Sequence, residues 1–162
     1  MKLMLVDDEM PILESLERAL KPTGYTCSIF QEPLEALEAY RRGGYDVVVT
    51  DFMMPEMTGI EVLKVIKGMD GGARVIILTG YADIENAIAA VNNGAYAFFR
   101  KPLDFRDFIG TLKKIEHEIE GEDRKEVDMR RVREEYDRLR RAYESLEEAV
   151  REMGGNPRES IR

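Results

Sequence analysis

The residues best suited to chemistry stand directly after four short apolar runs of the sequence. Asp7 and Asp8 follow the first of these runs, and Asp51, Thr79 and Lys101 each follow a later one. Carboxylates that gather in one place repel each other, so they need raised pKa values or a bound cation. Mg²⁺ is the simpler answer, because it prefers oxygen ligands and commonly binds beside a phosphoryl group. A carboxylate near Mg²⁺ can attack phosphorus, while a lysine ammonium and a hydroxyl hold the phosphoryl oxygens.

Five apolar runs predict the strands that position these residues. They cover residues 2–6, 26–30, 46–50, 74–78 and 95–99. Apolar residues recur every three or four positions after each run and predict five helices, which gives a (βα)5 order. The first, third and fourth runs are almost continuously apolar, as in central parallel strands that helices cover on both faces.

Right-handed crossovers then favour an α/β fold with a doubly wound parallel sheet and the strand order 2-1-3-4-5, as in flavodoxin. In such a sheet the order reverses between strands one and three, and ligands bind in the crevice at the carboxyl ends of the strands. Taken singly, an acidic residue after a strand is more often a turn or cap residue. Five polar residues at four converging strand ends predict a site.

The 162-residue chain has a net charge of -8, and its charged residues are unevenly distributed. Residues 1–115 hold 13 Lys+Arg and 17 Asp+Glu, whereas the much shorter segment 116–162 holds 11 Lys+Arg and 15 Asp+Glu. That segment has too few apolar residues for a globular core, although they can form one stripe along a helix. One cysteine permits no internal disulfide, and neither a membrane span nor a signal peptide is evident, which predicts a cytoplasmic protein without membrane contact.

Residues 1 to about 118 resemble the response regulator receiver domains of bacterial two-component signalling, which have the CheY-like fold. The resemblance rests on four motifs: Leu5-Val6-Asp7-Asp8-Glu9, Asp51-Phe52-Met53-Met54-Pro55-Glu56-Met57-Thr58-Gly59, Leu78-Thr79-Gly80 and Phe99-Arg100-Lys101-Pro102. It implies that Asp51 is the phosphoacceptor and that a sensor histidine kinase supplies the phosphoryl group. It also implies that the chain is a signalling module and not an enzyme. Its only reactions would be self-catalysed phosphotransfer to Asp51 and slow autodephosphorylation.

The resemblance also implies a metal site. Asp8 and Asp51 bind Mg²⁺ directly, with Mn²⁺ as an alternative ion, Asp7 acts largely through water, and Met53 offers its backbone carbonyl. The side chains of Met53 and Tyr81 border the path of the attacking water in this family. Because both are bulky and weakly polar, we expect slow loss of the phosphoryl group.

A conformational switch is the third implication of the resemblance. Thr79 and Lys101 bind the phosphoryl oxygens, and the peptide bond before Pro102 is cis. Phosphorylation draws the Thr79 hydroxyl inward, Phe98 follows it, and the face made by helix four, strand five and helix five changes. Phe98 has no hydroxyl, so burial alone must favour its inward position.

A second apolar pattern begins at Met129 and follows alternating spacings of three and four. Its members form a heptad seam: Met129, Val132, Tyr136, Leu139, Tyr143, Leu146, Val150 and Met153. A lone exposed helix does not normally keep so regular a seam, so the pattern favours a two-stranded coiled coil. The sequence therefore predicts a receiver domain over 1–120, a hinge or stutter over 121–128, a dimerisation helix over 129–153 and a flexible tail over 154–162.

The orientation of the two helices stays open at this point. In a parallel pair Asp128 faces Arg133 and Glu135 faces Arg140, and both contacts are attractive. Arg133 facing Glu147 also suits an antiparallel pair. We expect a homodimer through the C-terminal helix, the face made by helix four, strand five and helix five, or both.

Two other functions remain as alternatives. One is a Mg²⁺-dependent phosphohydrolase with an aspartyl-phosphate intermediate, although Asp51 is followed by Phe52 and Met53, where the haloacid-dehalogenase pattern needs a second aspartate. The other is a structural dimerisation module with an idle site. Acidic residues interrupt the basic residues of the tail, so direct nucleic-acid binding is not expected. The chain can be a stand-alone regulator or part of a longer one.

Overall fold

The computed structural model describes residues 1–80 and 84–152. Its five strands and five helices alternate along the chain. The strands are β1 (Lys2–Val6), β2 (Thr26–Phe30), β3 (Val47–Asp51), β4 (Arg74–Thr79) and β5 (Ala97–Arg100). The helices are α1 (Met10–Leu20), α2 (Pro33–Arg41), α3 (Gly59–Met69), α4 (Ile84–Asn92) and α5 (Phe105–Glu152), with a 3-10 turn at Lys21–Thr23.

The five strands form one parallel sheet with the order β2-β1-β3-β4-β5. The predicted α/β fold class and strand order are confirmed. The register pairs Val6 with Thr50 and Asp51 with Leu78, so the carboxyl ends of the central strands meet at one edge. Strand three ends on Asp51 itself and strand five begins at Ala97, small shifts from the predicted bounds of 46–50 and 95–99.

The core forms where the strands are covered on both faces. All five residues of β3 are buried, and β4 is buried from Val75 onward. The helices contribute single apolar faces, with Leu13 and Leu20 from α1 and Leu63 from α3 fully buried. This pattern agrees with the near-continuous apolar runs of central parallel strands.

Helix α3 begins at a capping box that the sequence encodes locally. The Thr58 hydroxyl accepts a hydrogen bond from the Glu61 N–H at 3.2 Å, and the Glu61 carboxylate accepts one from the Thr58 N–H at 2.8 Å. Two backbone donors at the helix start are thereby satisfied. The box fixes the position at which the chain leaves the loop after β3 and enters α3.

Contacts divide the chain into a core unit, Met1–Ile115, and a tail unit, Glu116–Arg162. Helix α5 has 48 residues and is helical throughout residues 121–128, where the sequence suggested a hinge or stutter. A break of the helix is therefore not seen there, whereas a stutter changes only the register of the apolar stripe. Three members of the predicted seam lie wholly or partly outside the described residues: the side chains of Leu146 and Val150, and all of Met153. Among the residues that the structure describes, no helix is both long and apolar enough to cross a bilayer.

Candidate functional site

The site is built around Asp51, the last residue of β3. Its side chain is buried at the carboxyl edge of the sheet, and both of its oxygens accept hydrogen bonds. Oδ1 accepts from the Lys101 ammonium at 2.6 Å, and Oδ2 accepts from the Met53 N–H at 3.0 Å. These contacts hold the carboxylate in one orientation, with one oxygen toward a cation and the other toward the loop that follows β3.

Lys101 joins two carboxylates that come from different strands. Its Nζ donates to Asp51 and also to Asp7 Oδ2, the latter at 2.9 Å. Lys101 follows β5, and its own N–H donates to the carbonyl of Thr79 at the end of β4 at 2.7 Å. Four strand ends are therefore tied together by one side chain and its backbone, as the sequence predicted for these positions.

The charges in this cluster shift the protonation of its members. Burial raises the pKa of the Asp51 carboxyl, the nearby Asp7 charge raises it further, and the Lys101 ammonium opposes both. Burial acts against the charged form of Lys101, but its hydrogen bonds to Asp51 and Asp7 outweigh that effect and raise its pKa. Lys101 is therefore a permanent cation at neutral pH.

The donor set fits a hard divalent cation. One carboxylate oxygen from each of Asp7, Asp8 and Asp51 lies within 4.8 Å of the other two. Asp7 and Asp51 are buried, whereas Asp8 is more accessible to solvent. Three carboxylates at this spacing with one lysine leave an excess of negative charge, and oxygen ligands of this kind suit Mg²⁺ with several retained waters.

The neighbouring loops are anchored close to these carboxylates. The Glu9 N–H donates to Asp7 Oδ1 at 2.9 Å, and the Gln31 side-chain amide donates to the carbonyl of Asp8 at 3.0 Å. Gln31 follows β2 and was not among the residues selected from the sequence. Its position at the end of β2, the fifth strand of the sheet, was the only signal that could have pointed to it.

Gly59 is a second residue whose role only the structure reveals. It begins α3, and its N–H donates to the carbonyl of Phe52 at 2.8 Å. A Cβ at this position would overlap the backbone carbonyl oxygen of Asp51. Glycine is required here because the start of α3 passes directly over the backbone of the acceptor residue.

The remaining predicted site residues lie around this cluster. Thr79 ends β4 with its side chain buried, and Phe98 on β5 packs against the core with Ile77 beside it in register. The Met53 side chain is 56% exposed beside the carboxylates. Tyr81 lies outside the described residues. The Lys101–Pro102 peptide bond is cis.

Residues 3–113 match the family model of the response regulator receiver domain. The chain belongs to this family. Residues 3–113 include the carboxylates, Thr79 and Lys101, so the receiver match covers the whole site.

Individual relatives agree with that assignment. The transcriptional regulatory protein ZraR of Escherichia coli K12 is 35% identical over 123 residues, which are 74% of this chain and 28% of ZraR. A receiver domain protein (CheY-like) from Methanospirillum hungatei superimposes with a TM-score of 0.69 at 30% identity, covering 74% of this chain and 97% of its own. The beryllofluoride-activated NtrC4 receiver domain dimer superimposes with a TM-score of 0.69 at 31% identity, covering 72% of this chain and 97% of its own.

The chain thus spans about a quarter of the length of the curated relatives it matches. The resemblance that the sequence motifs indicated is confirmed, and the protein is a receiver-containing response regulator of the two-component type. Receiver domains are signalling modules, which is the role that the acidic pocket and its lysine serve in this family.

Proposed function

We propose that Asp51 accepts a phosphoryl group from the phosphohistidine of a sensor histidine kinase. An Asp51 carboxylate oxygen attacks phosphorus, a P–O bond forms, and the P–N bond breaks with its electron pair returning to the imidazole. The hydrogen bonds that hold the two carboxylate oxygens in fixed directions support this role, because a fixed nucleophile needs little further ordering.

The charges of the site support transfer of an anionic group. Asp8, Asp51 and the Met53 carbonyl would hold Mg²⁺, with Asp7 acting through water. The bound ion would supply positive charge that offsets repulsion between the carboxylate and the phosphoryl group. Lys101 already lies 2.6 Å from the acceptor oxygen and stabilises charge on the transferred oxygens, and Thr79 donates its hydroxyl to one of them.

The switch follows from the same residues. When Thr79 turns toward the phosphoryl group, Phe98 moves into the space beside it and changes the face made by α4, β5 and α5. Phe98 is only partly buried in this structure and packs at the margin of the core, so inward movement buries more apolar area. Met53 and Tyr81 slow the attack of water and lengthen the signal.

One observation carries the proposal: Lys101 bridges Asp7 and Asp51 inside a three-carboxylate cluster. Intact-mass analysis after incubation with acetyl phosphate and Mg²⁺ tests it, and we expect a single phosphoryl adduct. Asp51→Asn removes the nucleophile with little change of volume, so no adduct is expected. Glu56→Gln is a matched control in the same loop, and labelling should persist there.

An adduct on Asp51→Asn would refute the acceptor assignment. Catalytic release of phosphate from phosphomonoesters by the wild-type chain would instead favour the phosphohydrolase alternative. Absence of an adduct from the wild-type chain with both a small phosphodonor and a cognate kinase would indicate the structural module with an idle site. The second and third outcomes each select one of the two alternative functions.

The output is proposed to be homodimerisation. The NtrC4 receiver shown as a dimer supports dimer formation in this family, and the tail seam gives this chain a second means. Light scattering should give a dimer mass for the full chain, and truncation before Arg124 should remove it if the seam holds the pair. An unchanged mass after truncation would contradict the seam as the interface.

The location and the further partners of the chain are also proposals. A kinase-dependent receiver acts in the cytoplasm, and the chain itself needs no nucleic-acid contact for phosphotransfer. ZraR is a transcriptional regulatory protein, but the segment matched here is 28% of it. Gel-shift assays with the full chain test the expectation that this segment does not bind DNA.

A further inference from the structure

Asp8 differs from the other two carboxylates of the cluster in how it is held. Both carboxylate oxygens of Asp7 and both of Asp51 accept hydrogen bonds, from Lys101 or from backbone N–H groups. Asp8 is more accessible to solvent, and among the residues that the structure describes nothing donates to its carboxylate. The position of this carboxylate therefore depends on how the Asp8 backbone is held.

The peptide group between Asp8 and Glu9 is bound at both of its polar atoms. The Glu9 N–H donates to Asp7 Oδ1 at 2.9 Å, and the Asp8 carbonyl accepts from the Gln31 side-chain amide at 3.0 Å. A carbonyl oxygen can only accept, so Gln31 presents its NH2 group here. Because a peptide group is planar, the two hydrogen bonds fix its plane and restrict the ψ angle of Asp8.

Gln31 reaches Asp8 because of where β2 ends. This strand lies at one edge of the sheet, and its pairing with β1 ends at Val6 and Phe30. One further backbone bond follows, from the Asp7 N–H to the Phe30 carbonyl at 3.1 Å. The Gln31 side chain extends this link from Asp7 to Asp8, one residue beyond the backbone ladder.

We propose that Gln31 is a positioning residue for the metal site. Its hydrogen bond to the Asp8 carbonyl keeps the Asp8 carboxylate beside those of Asp7 and Asp51, an inference that rests on the Mg²⁺ site proposed above. Groups that orient metal ligands without touching the ion raise its affinity, because they remove conformational freedom that binding would otherwise have to restrict. Without Gln31 the peptide keeps only the bond of Glu9, and Asp8 must be ordered when the ion binds.

A merely structural role of Gln31 would give different measurements. Its side chain is exposed, and so is the hydrogen bond that it makes. Water replaces an exposed hydrogen bond at little cost to the free energy of unfolding, because both partners remain solvated. The affinity for a divalent ion, in contrast, responds directly to the position of a ligand. Stability without metal and metal affinity therefore separate the two roles.

Removal of the amide donor tests the proposal in the full chain. Gln31→Met keeps the length and the neutral charge of the side chain, and we expect it to bind Mn²⁺ about fivefold more weakly, the effect of one ordinary hydrogen bond. The signal of free Mn²⁺ in electron paramagnetic resonance measures this affinity without a phosphodonor. Thr26→Met is the matched control, because Thr26 is exposed at the opposite end of β2, and its affinity should equal that of the wild-type chain.

Labelling by acetyl phosphate gives a second readout. The Mg²⁺ concentration at which Gln31→Met is labelled at half its maximal rate should rise by the same factor. The rate at saturating Mg²⁺ should stay that of the wild-type chain, because Gln31 contacts neither Asp51 nor Lys101. Urea unfolding in the presence of a chelator should give the same midpoint for both chains.

The possible outcomes are distinct. Equal Mn²⁺ affinity of the wild-type chain and Gln31→Met would overturn the proposal, and so would an equal loss of affinity in Thr26→Met. A lower unfolding midpoint of Gln31→Met without metal would assign the residue a structural role instead. A lower rate at saturating Mg²⁺ with unchanged Mn²⁺ affinity would also refute positioning of the metal ligand.

The same measurements separate this inference from the phosphoacceptor proposal. Mn²⁺ binding needs no phosphoryl transfer, so it is read independently of Asp51 labelling. Labelling of the wild-type chain with equal Mn²⁺ affinity in all three chains refutes the role of Gln31 alone. The expected difference in Mn²⁺ affinity without labelling of the wild-type chain refutes the phosphoacceptor proposal alone.

Discussion

The core unit and the tail unit use the same kinds of residue in opposite ways. In the core unit most leucine and valine side chains are buried by the chain itself, and a few charged groups are buried with them at the site. In the tail unit the apolar side chains are exposed in a stripe, and the charged residues on either side are exposed as well. Whether a side chain stabilises the fold or an assembly thus depends on whether its partners lie in the same chain. Three pairs of substitutions and one titration test that difference.

The largest difference is expected for leucine to alanine. Leu63 is fully buried in the core unit, whereas Leu139 is 65% exposed in the tail unit. Leu63→Ala removes packing and leaves a cavity, so it should lower the free energy of unfolding of the core unit by about 3 kcal/mol. Leu139→Ala should leave that value unchanged and weaken only the dimer. Urea titration followed by circular dichroism, combined with light scattering, measures both.

A dimer weakened equally by Leu63→Ala and Leu139→Ala would contradict this division of roles. Leu63→Val is a milder change in the core and should cost less than Leu63→Ala, because it leaves a smaller cavity. The order of the two costs checks that packing, and not an unrelated loss of folding, explains the result.

Two ion pairs give the second contrast. Lys101→Ala leaves two buried carboxylates without their shared cation and should destabilise the metal-free core unit by roughly 3 kcal/mol at neutral pH. Arg140→Ala breaks an exposed pair with Glu144 and should change the stability of the isolated helix by no more than about 0.5 kcal/mol. Thermal unfolding of each variant gives the comparison.

The destabilisation caused by Lys101→Ala should change with pH in one direction. The pKa of Asp51 is raised in the folded protein, so folding favours its protonated form. Stability from this group is present below its ordinary pKa and is lost as the pH rises through the raised value. Removal of Lys101 strengthens that trend, and added Mg²⁺ should reverse it. A destabilisation of Lys101→Ala that grows as the pH falls would contradict the assignment.

Glycine to alanine should act with opposite signs in the two units. At Gly59 a methyl group overlaps the backbone carbonyl of Asp51, so Gly59→Ala should destabilise the core unit by about 2 kcal/mol and reduce labelling of Asp51. At Gly121, inside α5, nothing lies within 4 Å of the added carbon. Gly121→Ala should therefore raise the helicity of the tail by circular dichroism, with a gain of about 1 kcal/mol. Equal signs would contradict the contrast.

The smallest effect is expected at Tyr40, on the surface of the core unit. Its hydroxyl donates to Asp70 at 3.3 Å, and burial together with the Asp70 charge raises the pKa of the phenol to about 12. The stability from this contact is present below the ordinary pKa of a tyrosine and is lost as the pH rises through about 12. Ultraviolet titration should show this phenol ionising late, and Asp70→Asn should move it earlier. Tyr136 and Tyr143 of the tail serve as exposed comparisons.

Most of the fold was predictable because its signals are local. Apolar runs of five residues and helical periods between them define strands and helices without knowledge of any neighbour, and crossover handedness then leaves few arrangements. The polar residues after strands were found for the same reason. The boundaries of β3 and β5 moved by one or two residues, because strand ends depend on pairing with neighbouring strands.

The sequence by itself determined the five-stranded order, the positions of Asp7, Asp8, Asp51, Thr79 and Lys101, and the period of the tail seam. Only the tertiary structure decided how these side chains meet: Lys101 bridging Asp7 and Asp51, Gln31 binding the Asp8 backbone, and Gly59 passing over the acceptor. The physical reason is the separation along the chain between the residues that interact. Periodicity and strand-end position are properties of neighbouring residues, whereas each of these contacts joins parts of the chain that only the folded sheet brings together.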